Sequence, residues 1–143
     1  MVQRCFFSLM VVALLAGCAV QRDLTVKRAV DLKQRNSQFD LDIAWDVTAG
    51  GTQTHVDGVI RNVWSAGIEE LELRVELQDS SARTVAHAVS YVARTLRTGE
   101  TVPFSLILPA RADSGSKLLF TYRYVPQGGD TDLWMHSFET AIP

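Results

Sequence analysis

The 143-residue sequence predicts an all-β protein, a single sandwich of about seven antiparallel strands. Beyond residue 38, apolar and polar residues alternate with period two over most of the chain, which is typical of strands that bury one face. Turn-forming residues separate these stretches roughly every ten residues, as in sandwiches and barrels. Strands do not alternate with long amphipathic helices, so a parallel α/β sheet is disfavoured.

The first two predicted strands cover residues 39–47 and 54–63, with a turn at 49–52 between them. Gly58 is expected to let a facing side chain approach the backbone. Asn62 is expected to start the next turn, because asparagine tolerates the left-handed conformation. The residues expected to face inward are Phe39, Leu41, Ile43, Trp45 and Val47 in the first strand and Val56, Gly58 and Ile60 in the second.

The third predicted strand, at 68–79, has the most regular alternation in the chain. A helix would scatter its apolar residues around the circumference, whereas a strand places them on one face. Asp79 is expected to accept hydrogen bonds from the amides of the turn that follows. The residues expected to face inward are Leu71, Leu73, Val75 and Leu77.

Four further strands are predicted at 85–94, 102–108, 118–124 and 133–140, separated by turns or loops at 97–100, 109–116 and 127–130. The residues expected to share a face are His87, Val89 and Tyr91 in the first of these strands, Val102, Phe104, Leu106 and Leu108 in the second, and Leu118, Phe120, Tyr122 and Tyr124 in the third. The face that carries His87 is expected to point inward.

The N-terminus has the three parts of a secretory signal peptide: Arg4, an apolar run at 5–15, and the small residues Ala16 and Gly17. The run is about half of the ~20 residues that span a bilayer. Its last residue begins the tetrapeptide Leu-Ala-Gly-Cys at 15–18, which resembles the lipobox of bacterial lipoprotein signal peptides. The resemblance implies cleavage between Gly17 and Cys18 and a diacylglycerol group on the Cys18 sulfur.

Two alternatives to lipidation remain open, namely a soluble secreted protein cut near Ala16 or Ala19, and an uncleaved anchor. Lipidation is favoured because small residues directly precede a cysteine. In lipoproteins of Gram-negative bacteria, Asp after the lipidated cysteine is associated with retention in the inner membrane, and here that position holds Ala19. The resemblance therefore favours the outer membrane, facing the periplasm.

Cleavage changes the formal net charge from −2 to −3, since it removes Arg4. The sequence contains no basic patch, so nucleic acid is not expected as a partner. Cys5 leaves with the signal peptide and Cys18 would carry lipid, so the mature chain has no thiol for an internal disulfide. We divide the chain into a signal peptide at 1–17, a lipidated cysteine and charged tether at 18–38, and one domain at 39–143.

Residues 56–108 resemble the FxLYD-type domain of bacterial envelope proteins. The resemblance rests on three segments: Gly-Val-Ile-Arg-Asn at 58–62, Val-Glu-Leu-Gln-Asp at 75–79, and Leu-Arg-Thr-Gly-Glu-Thr-Val-Pro-Phe at 96–104. Val75, Gln78 and Thr98 stand where the family usually has Phe, Tyr and Pro. The resemblance implies a small immunoglobulin-like sandwich without known catalytic residues.

The sequence contains no recognisable catalytic or metal-binding motif. The three histidines, His55, His87 and His136, lie on separate predicted strands, whereas a zinc site needs three or four ligands near one point. No serine stands in a Gly-x-Ser-x-Gly elbow. Neighbouring Glu69 and Glu70 would point to opposite faces of a strand. We therefore expect no metal, no cofactor and no enzymatic activity.

Trp64, in a predicted turn, is the candidate for binding a partner, since exposed tryptophans often anchor interfaces. The aromatic residues near the C-terminal end, Tyr122, Tyr124, Trp134 and Phe138, are expected to close the core, with an exposed aromatic surface as the alternative.

The sequence thus predicts a membrane-anchored, non-catalytic lipoprotein that binds another envelope component, most simply a protein. The alternative is a periplasmic module for a small molecule, glycan or metal, with a pocket lined by Trp45, Trp64 or Trp134.

Overall fold

The computed structural model describes residues 29–128 and 132–142, so the predicted cleavage site at Gly17 and Cys18 lies outside the described residues. Within these ranges no helix is long and apolar enough to cross a membrane. A single helical turn at 29–31 is followed by eight strands. Their bounds are β1 Gln34–Ser37, β2 Leu41–Gly50, β3 Gln53–Asn62, β4 Ile68–Gln78, β5 Thr84–Leu96, β6 Thr101–Leu108, β7 Lys117–Pro126 and β8 Trp134–Ala141.

The strands form two antiparallel sheets of four, in the orders β1-β2-β3-β6 and β5-β4-β7-β8. The two sheets pack face to face as an immunoglobulin-like β-sandwich, which confirms the predicted fold class. On one side of the sandwich β5 and β6 contact each other. On the opposite side the sheets end in the edge strands β1 and β8.

The core lies between the sheets, where alternation along the central strands had predicted it. The inward faces of β4 and β7 are fully buried, as are most apolar residues of β2 and β3 that face them. Burial of one large apolar side chain contributes about 1.5–3 kcal/mol, so these two strands supply a large share of the apolar stabilisation. The eight residues concerned are Leu71, Leu73, Val75, Leu77, Leu118, Phe120, Tyr122 and Tyr124.

Gly58 lets the ring of Phe104 approach the backbone of β3 closely, as the sequence predicted. It pairs with Trp45 of β2 on one side and with Phe104 of β6 on the other. A Cβ atom at this position would lie 2.6 Å from Cζ of Phe104 and would also meet the carbonyl oxygen of Ala44. The aromatic ring therefore occupies the space that any other residue would fill.

The first strand, β1, lies inside the segment predicted as a tether, which explains why the count is eight rather than about seven. Gln34 pairs with Trp45 and Ser37 pairs with Asp42, and the Lys33 amide donates to Oδ1 of Asp46 at 3.1 Å. The strand reads Gln-Arg-Asn-Ser. With no apolar residue it shows no hydrophobic alternation, so only its pairing with β2 reveals it.

Two inward-facing assignments were wrong. In β5, His87, Val89 and Tyr91 are exposed, whereas Ala86 is buried. The pairing of β4 with β5 shifts register twice, and small side chains face inward because β5 lies against β6. Before β2, Phe39 is exposed and Asp40 is buried, because a bend at these two residues interrupts the alternation.

The expectations for Asn62 and Asp79 had different outcomes. Among the described residues, the non-glycine residues with positive φ are Glu70 and Ala82, so the expected left-handed conformation of Asn62 was wrong. Asp79 accepts hydrogen bonds from the amides of Ser81 at 2.8 Å and Arg83 at 3.0 Å, as predicted. Hydrogen bonds from the amide and side chain of Arg83 and from the Ser81 amide hold the pKa of Asp79 below its usual value.

Candidate functional site

Four aromatic side chains meet at the end of the sandwich where β2 begins and β3 and β7 end. Phe39 precedes β2, Trp64 lies between β3 and β4, and Trp134 and His136 belong to β8. The rings of Trp64 and Trp134 stack with centroids 5.3 Å apart. The Phe39 ring lies 6.1 Å from Trp134 and 5.6 Å from His136. These distances are typical of attractive aromatic pairs, and we call the four residues the aromatic cluster.

Two buried tyrosines of β7 support the aromatic cluster from beneath. Tyr124 lies 6.4 Å from Trp64 and 6.1 Å from Trp134, measured between ring centroids. The ring of Tyr122 stacks on His136 at 5.5 Å. Since both tyrosines are fully buried on a central strand, the cluster has a rigid base.

Asp40 connects both tyrosines to the loop that carries Trp64. Its Oδ1 accepts from the hydroxyl of Tyr122 at 2.9 Å and its Oδ2 accepts from the hydroxyl of Tyr124 at 2.7 Å. Its own carbonyl oxygen accepts from the amides of Val63 at 2.9 Å and Trp64 at 3.2 Å. Asp40 is fully buried, and a buried carboxylate is costly without such hydrogen-bond donors. Asp40 therefore joins β7 to the loop between β3 and β4.

The phenol groups of Tyr122 and Tyr124 act as fixed hydrogen-bond donors. Burial is the main reason that the pKa of each is raised above its ordinary value of 10.0. The hydrogen bond to Asp40 and its negative charge raise both pKa values further, because they favour the protonated phenol. Both hydroxyls therefore stay protonated and hold the Asp40 carboxylate through the physiological pH range.

Asn62, also fully buried, holds the loop at 63–67 in place with its side-chain amide. Its Nδ2 donates to the carbonyl oxygens of Ala66 at 2.9 Å and Leu96 at 3.0 Å, and its Oδ1 accepts from the Trp64 amide at 2.9 Å. The backbone amide of Trp64 is therefore held by hydrogen bonds, and its ring is held by stacking on Trp134. The Trp64 side chain is thus part of the packed aromatic cluster and is not an isolated side chain on the turn.

The predicted aromatic residues are divided between core and surface. Tyr122 and Tyr124 belong to the core, as expected, whereas Trp134 is 36% exposed. Trp45 is buried and packs against Phe120 at 4.7 Å, between ring centroids, so it cannot line a pocket with the other two tryptophans. The sequence did not single out Phe39, His136 or Asp40 as members of this site, because their contacts depend on the bend before β2 and on pairing of β7 with β8.

The edge strand β8 lacks the features that protect the other three edges. β1 has only four residues, β6 contains Pro103, and β5 has register shifts and contacts β6. β8 pairs with β7 over eight residues without a register shift, and its sequence contains no proline, lysine or arginine. Within the described part of the chain no strand pairs with its other edge. Such an edge can accept a further strand.

The N-terminal turn lies on the outer face of the β1-β2-β3-β6 sheet, near the end that carries the aromatic cluster. Nη2 of Arg35 donates to the carbonyl oxygen of Ala29 at 3.1 Å. A groove of about 320 Å³ separates this turn from the sheet; its lining is Ala29, Val30, Arg35, Asp42, Ala44, Val59, Arg61, Gly99 and Thr101. Because Gly99 belongs to the turn between β5 and β6, the chain enters the domain close to that turn.

The three histidines do not meet. His55 lies on β3 in one sheet, while His87 and His136 lie on β5 and β8, the opposite edges of the other sheet. Within residues 29–128 and 132–142, no group of three or more His, Cys, Asp or Glu side chains is arranged to hold a metal ion. Glu69 and Glu70 are also separated: Glu70 accepts from the Tyr91 hydroxyl at 2.5 Å, and Glu69 lies 3.4 Å from Nε2 of Gln127.

No protein-family model matches the chain, and no curated protein matches it in sequence. Several solved structures share its fold. The yeast GGA1 GAE domain is 18% identical, with a TM-score of 0.51 over 77% of this chain and 99% of that chain. A protein described as ApaA from Bordetella pertussis is 15% identical, with a TM-score of 0.52 over 78% and 98% of the two chains. At these identities the likeness shows an immunoglobulin-like fold alone.

Proposed function

We propose that this protein is a non-catalytic lipoprotein, anchored through lipidated Cys18 in the outer membrane and facing the periplasm. The lipobox-like sequence at 15–18 supports the anchor, and Ala19 supports the outer membrane. Lipid chains on one cysteine supply ~0.8 kcal/mol for each buried methylene, so several chains hold a protein stably. The β-sandwich then acts as the binding part, for which an anchor raises the effective concentration of nearby partners.

The proposed partner is another envelope protein that adds a strand to β8. The observation that carries this proposal is the free, regular edge of Trp134–Ala141. Backbone hydrogen bonds along such an edge supply affinity, and alternate side chains supply specificity. Glu139 is the only charged residue of this strand, and its ion pair with Lys117 is long, at 3.7 Å, and exposed. A partner segment that is mostly apolar, with one basic residue that can share the Glu139 carboxylate, therefore fits the edge best.

A relationship to the FxLYD-type domain is part of the same proposal. Its support is that the first and third resembling segments contact each other around Asn62. The Asn62 amide donates to the carbonyl oxygen of Glu100 at 3.0 Å, and the Gly99 amide donates to the carbonyl oxygen of Asn62 at 2.7 Å. The turn at 97–100 is thus held by the asparagine of the first segment.

Changing Cys18→Ala is expected to abolish membrane attachment, because no other thiol remains after signal cleavage to carry the diacylglycerol group. Membrane fractionation of wild type and variant, together with the mass of the N-terminal peptide, measures the effect. Ala19→Ser, which leaves the cysteine in place, is the matched control and should stay with the membrane. A Cys18→Ala protein that still carries a labelled acyl group would falsify the anchor.

Lysines placed on the outer face of β8 are expected to prevent binding of the envelope protein, since charged side chains at a sheet edge discourage strand addition. We would introduce a photoreactive residue at Thr140, identify the crosslinked protein from the native envelope, and repeat the capture with Met135→Lys and Ser137→Lys combined. The same crosslinked protein should be reduced at least tenfold, roughly the effect of 1.4 kcal/mol.

The matched control places two lysines on strands away from β8, by Val85→Lys on β5 and Ile107→Lys on β6, where the wild-type side chains are already exposed. This variant has the same added charge and should capture the partner normally. Equal loss of the crosslink in both variants would show that added charge, and not the β8 edge, governs binding.

A further inference from the structure

The two ends of the sandwich differ in the apolar surface that they expose. The end with the aromatic cluster comprises the chain segments at 38–40, 63–67, 97–100, 127–128 and 132–134. Here Phe39 is 56% exposed, Val63 44%, Leu133 55% and Trp134 36%. At the opposite end, the described turns and loops at 51–52, 79–83 and 109–116 expose no large apolar side chain, and the exposed Val85 and Ile107 lie on the strands beside them. A patch of this kind usually marks a contact surface.

The chain enters the domain near the same end. Ala29 and Val30 share a groove with Gly99 and Arg61, and Gly99 lies in the turn at the aromatic end. Ala29 follows Cys18 by 11 residues, which span at most about 40 Å when fully extended. A ten-residue strand is itself about 33 Å long, so the opposite end of the sandwich can reach the bilayer only if these 11 residues are close to full extension. The aromatic end can reach it without such extension.

The exposed residues have the chemistry of the membrane interface. Tryptophan is enriched at the boundary between hydrocarbon and water, and Phe39 and Leu133 flank Trp134 with apolar side chains that can enter the acyl region. No basic patch accompanies them, since the turn at 97–100 contains one arginine and one glutamate. Apolar insertion, not attraction to anionic lipids, is therefore the contact that this surface supports.

We infer that the aromatic end, comprising Phe39, Val63, Trp64, Leu133 and Trp134, lies on the bilayer that holds the lipid anchor and inserts into its interface. The inference rests on the proposed lipidation of Cys18. It fixes the orientation of the domain, with its strands steeply inclined to the membrane. The rest of the β8 edge, from Met135 to Ala141, then extends away from the lipid and stays accessible to a protein partner.

The test uses the acylated full-length product, purified from its own membrane and reconstituted in phosphatidylethanolamine–phosphatidylglycerol vesicles whose acyl chains carry bromine. Bromine quenches only tryptophans that reach the lipid. We expect loss of emission from exposed Trp134, a smaller loss from half-buried Trp64 and none from buried Trp45, so Trp64→Phe combined with Trp134→Phe should abolish the quenching. High salt should not change it, because the contact is apolar.

Two matched variants separate this surface from general apolar exposure. Phe39→Ser with Leu133→Ser should reduce the quenching, whereas Val85→Ser with Ile107→Ser should not, although those side chains are 50% and 49% exposed in the wild type. Quenching that both pairs leave unchanged would overturn the inference. So would a photoreactive residue at Leu133 that crosslinks to a protein and never to lipid.

The same sample distinguishes failure of the inference from failure of the proposed function. The mass of its N-terminal peptide reports acylation of Cys18 directly. An acylated protein without quenching overturns the membrane-facing orientation alone, while a peptide with an unmodified cysteine overturns the anchor and the orientation together. An N-terminal peptide that has the mass of its acylated form, together with quenching that depends on Phe39 and Leu133, supports both the anchor and the orientation.

Discussion

Leu73→Asp is expected to leave the domain unfolded at ordinary temperatures. Leu73 is fully buried on β4, a central strand, between β5 and β7. Loss of the leucine contacts costs about 2–5 kcal/mol, and an unpaired carboxylate in the core adds several kcal/mol. Their sum falls within the roughly 5–15 kcal/mol that holds a domain of this size together, so it removes most or all of the stability. Circular dichroism and thermal unfolding measure the outcome.

The matched control is Val89→Asp, which places the same charge on the exposed face of neighbouring β5. Val89 lies beside Arg74 and Arg123 but also beside Glu72 and Glu76, so the new charge meets charges of both signs, and we expect a change within about 0.5 kcal/mol. Leu73→Ala should fall between the two variants. An unchanged melting temperature in Leu73→Asp would show that this face of β4 does not form the core.

Asp40→Ala is expected to destabilise the domain by about 3 kcal/mol or more, because it leaves buried donors without an acceptor. These donors are the hydroxyls of Tyr122 and Tyr124 and the amide of Leu41, which lies 2.8 Å from Oδ1. Urea unfolding followed by tryptophan fluorescence measures the loss. The emission of Trp64 and Trp134 should also change, because the aromatic cluster rests on the two tyrosines.

A triple variant tests whether the hydrogen-bond network itself explains the loss. Combining Asp40→Ala with Tyr122→Phe and Tyr124→Phe removes both phenol donors as well as their acceptor, so it should be more stable than Asp40→Ala alone. Asp42→Ala is the matched control for loss of a carboxylate. Its contacts are an exposed hydrogen bond from Ser37 and a long ion pair with Arg35, which contribute at most about 1 kcal/mol. A triple variant no more stable than the single one would contradict a cost due to unpaired donors.

Alternation predicted the central strands well because each of them buries one whole face. In β4 and β7 every second residue is apolar and fully buried, and period-two burial is the direct consequence of strand geometry. The edge strands were harder to predict from alternation. β5 buries small alanines and exposes Val89 and Tyr91, so its hydrophobic pattern indicates the wrong face.

The site depends on contacts between residues that are distant in sequence. Trp64 was predicted as a candidate, but the stacking on Trp134 and the support from Tyr124 arise only when the β3–β4 loop meets the end of β7 and the start of β8. Asp40 appears in the sequence as one acidic residue among alternating ones. Its partners are 82 and 84 residues away, and no local pattern connects it to them.

The all-β class, the inward faces of the central strands, the turn at Asp79 and the close approach at Gly58 could all be predicted from local patterns, because each depends on neighbours along the chain or on the strand period. Three features became visible only in the folded chain: β1 joins the sheet, Asp40 is buried while Phe39 is exposed, and the exposed aromatic residues gather where the N-terminal turn enters. These features depend on which strands pair and which loops share an end of the sandwich. Long-range packing sets both, and local alternation carries no information about either.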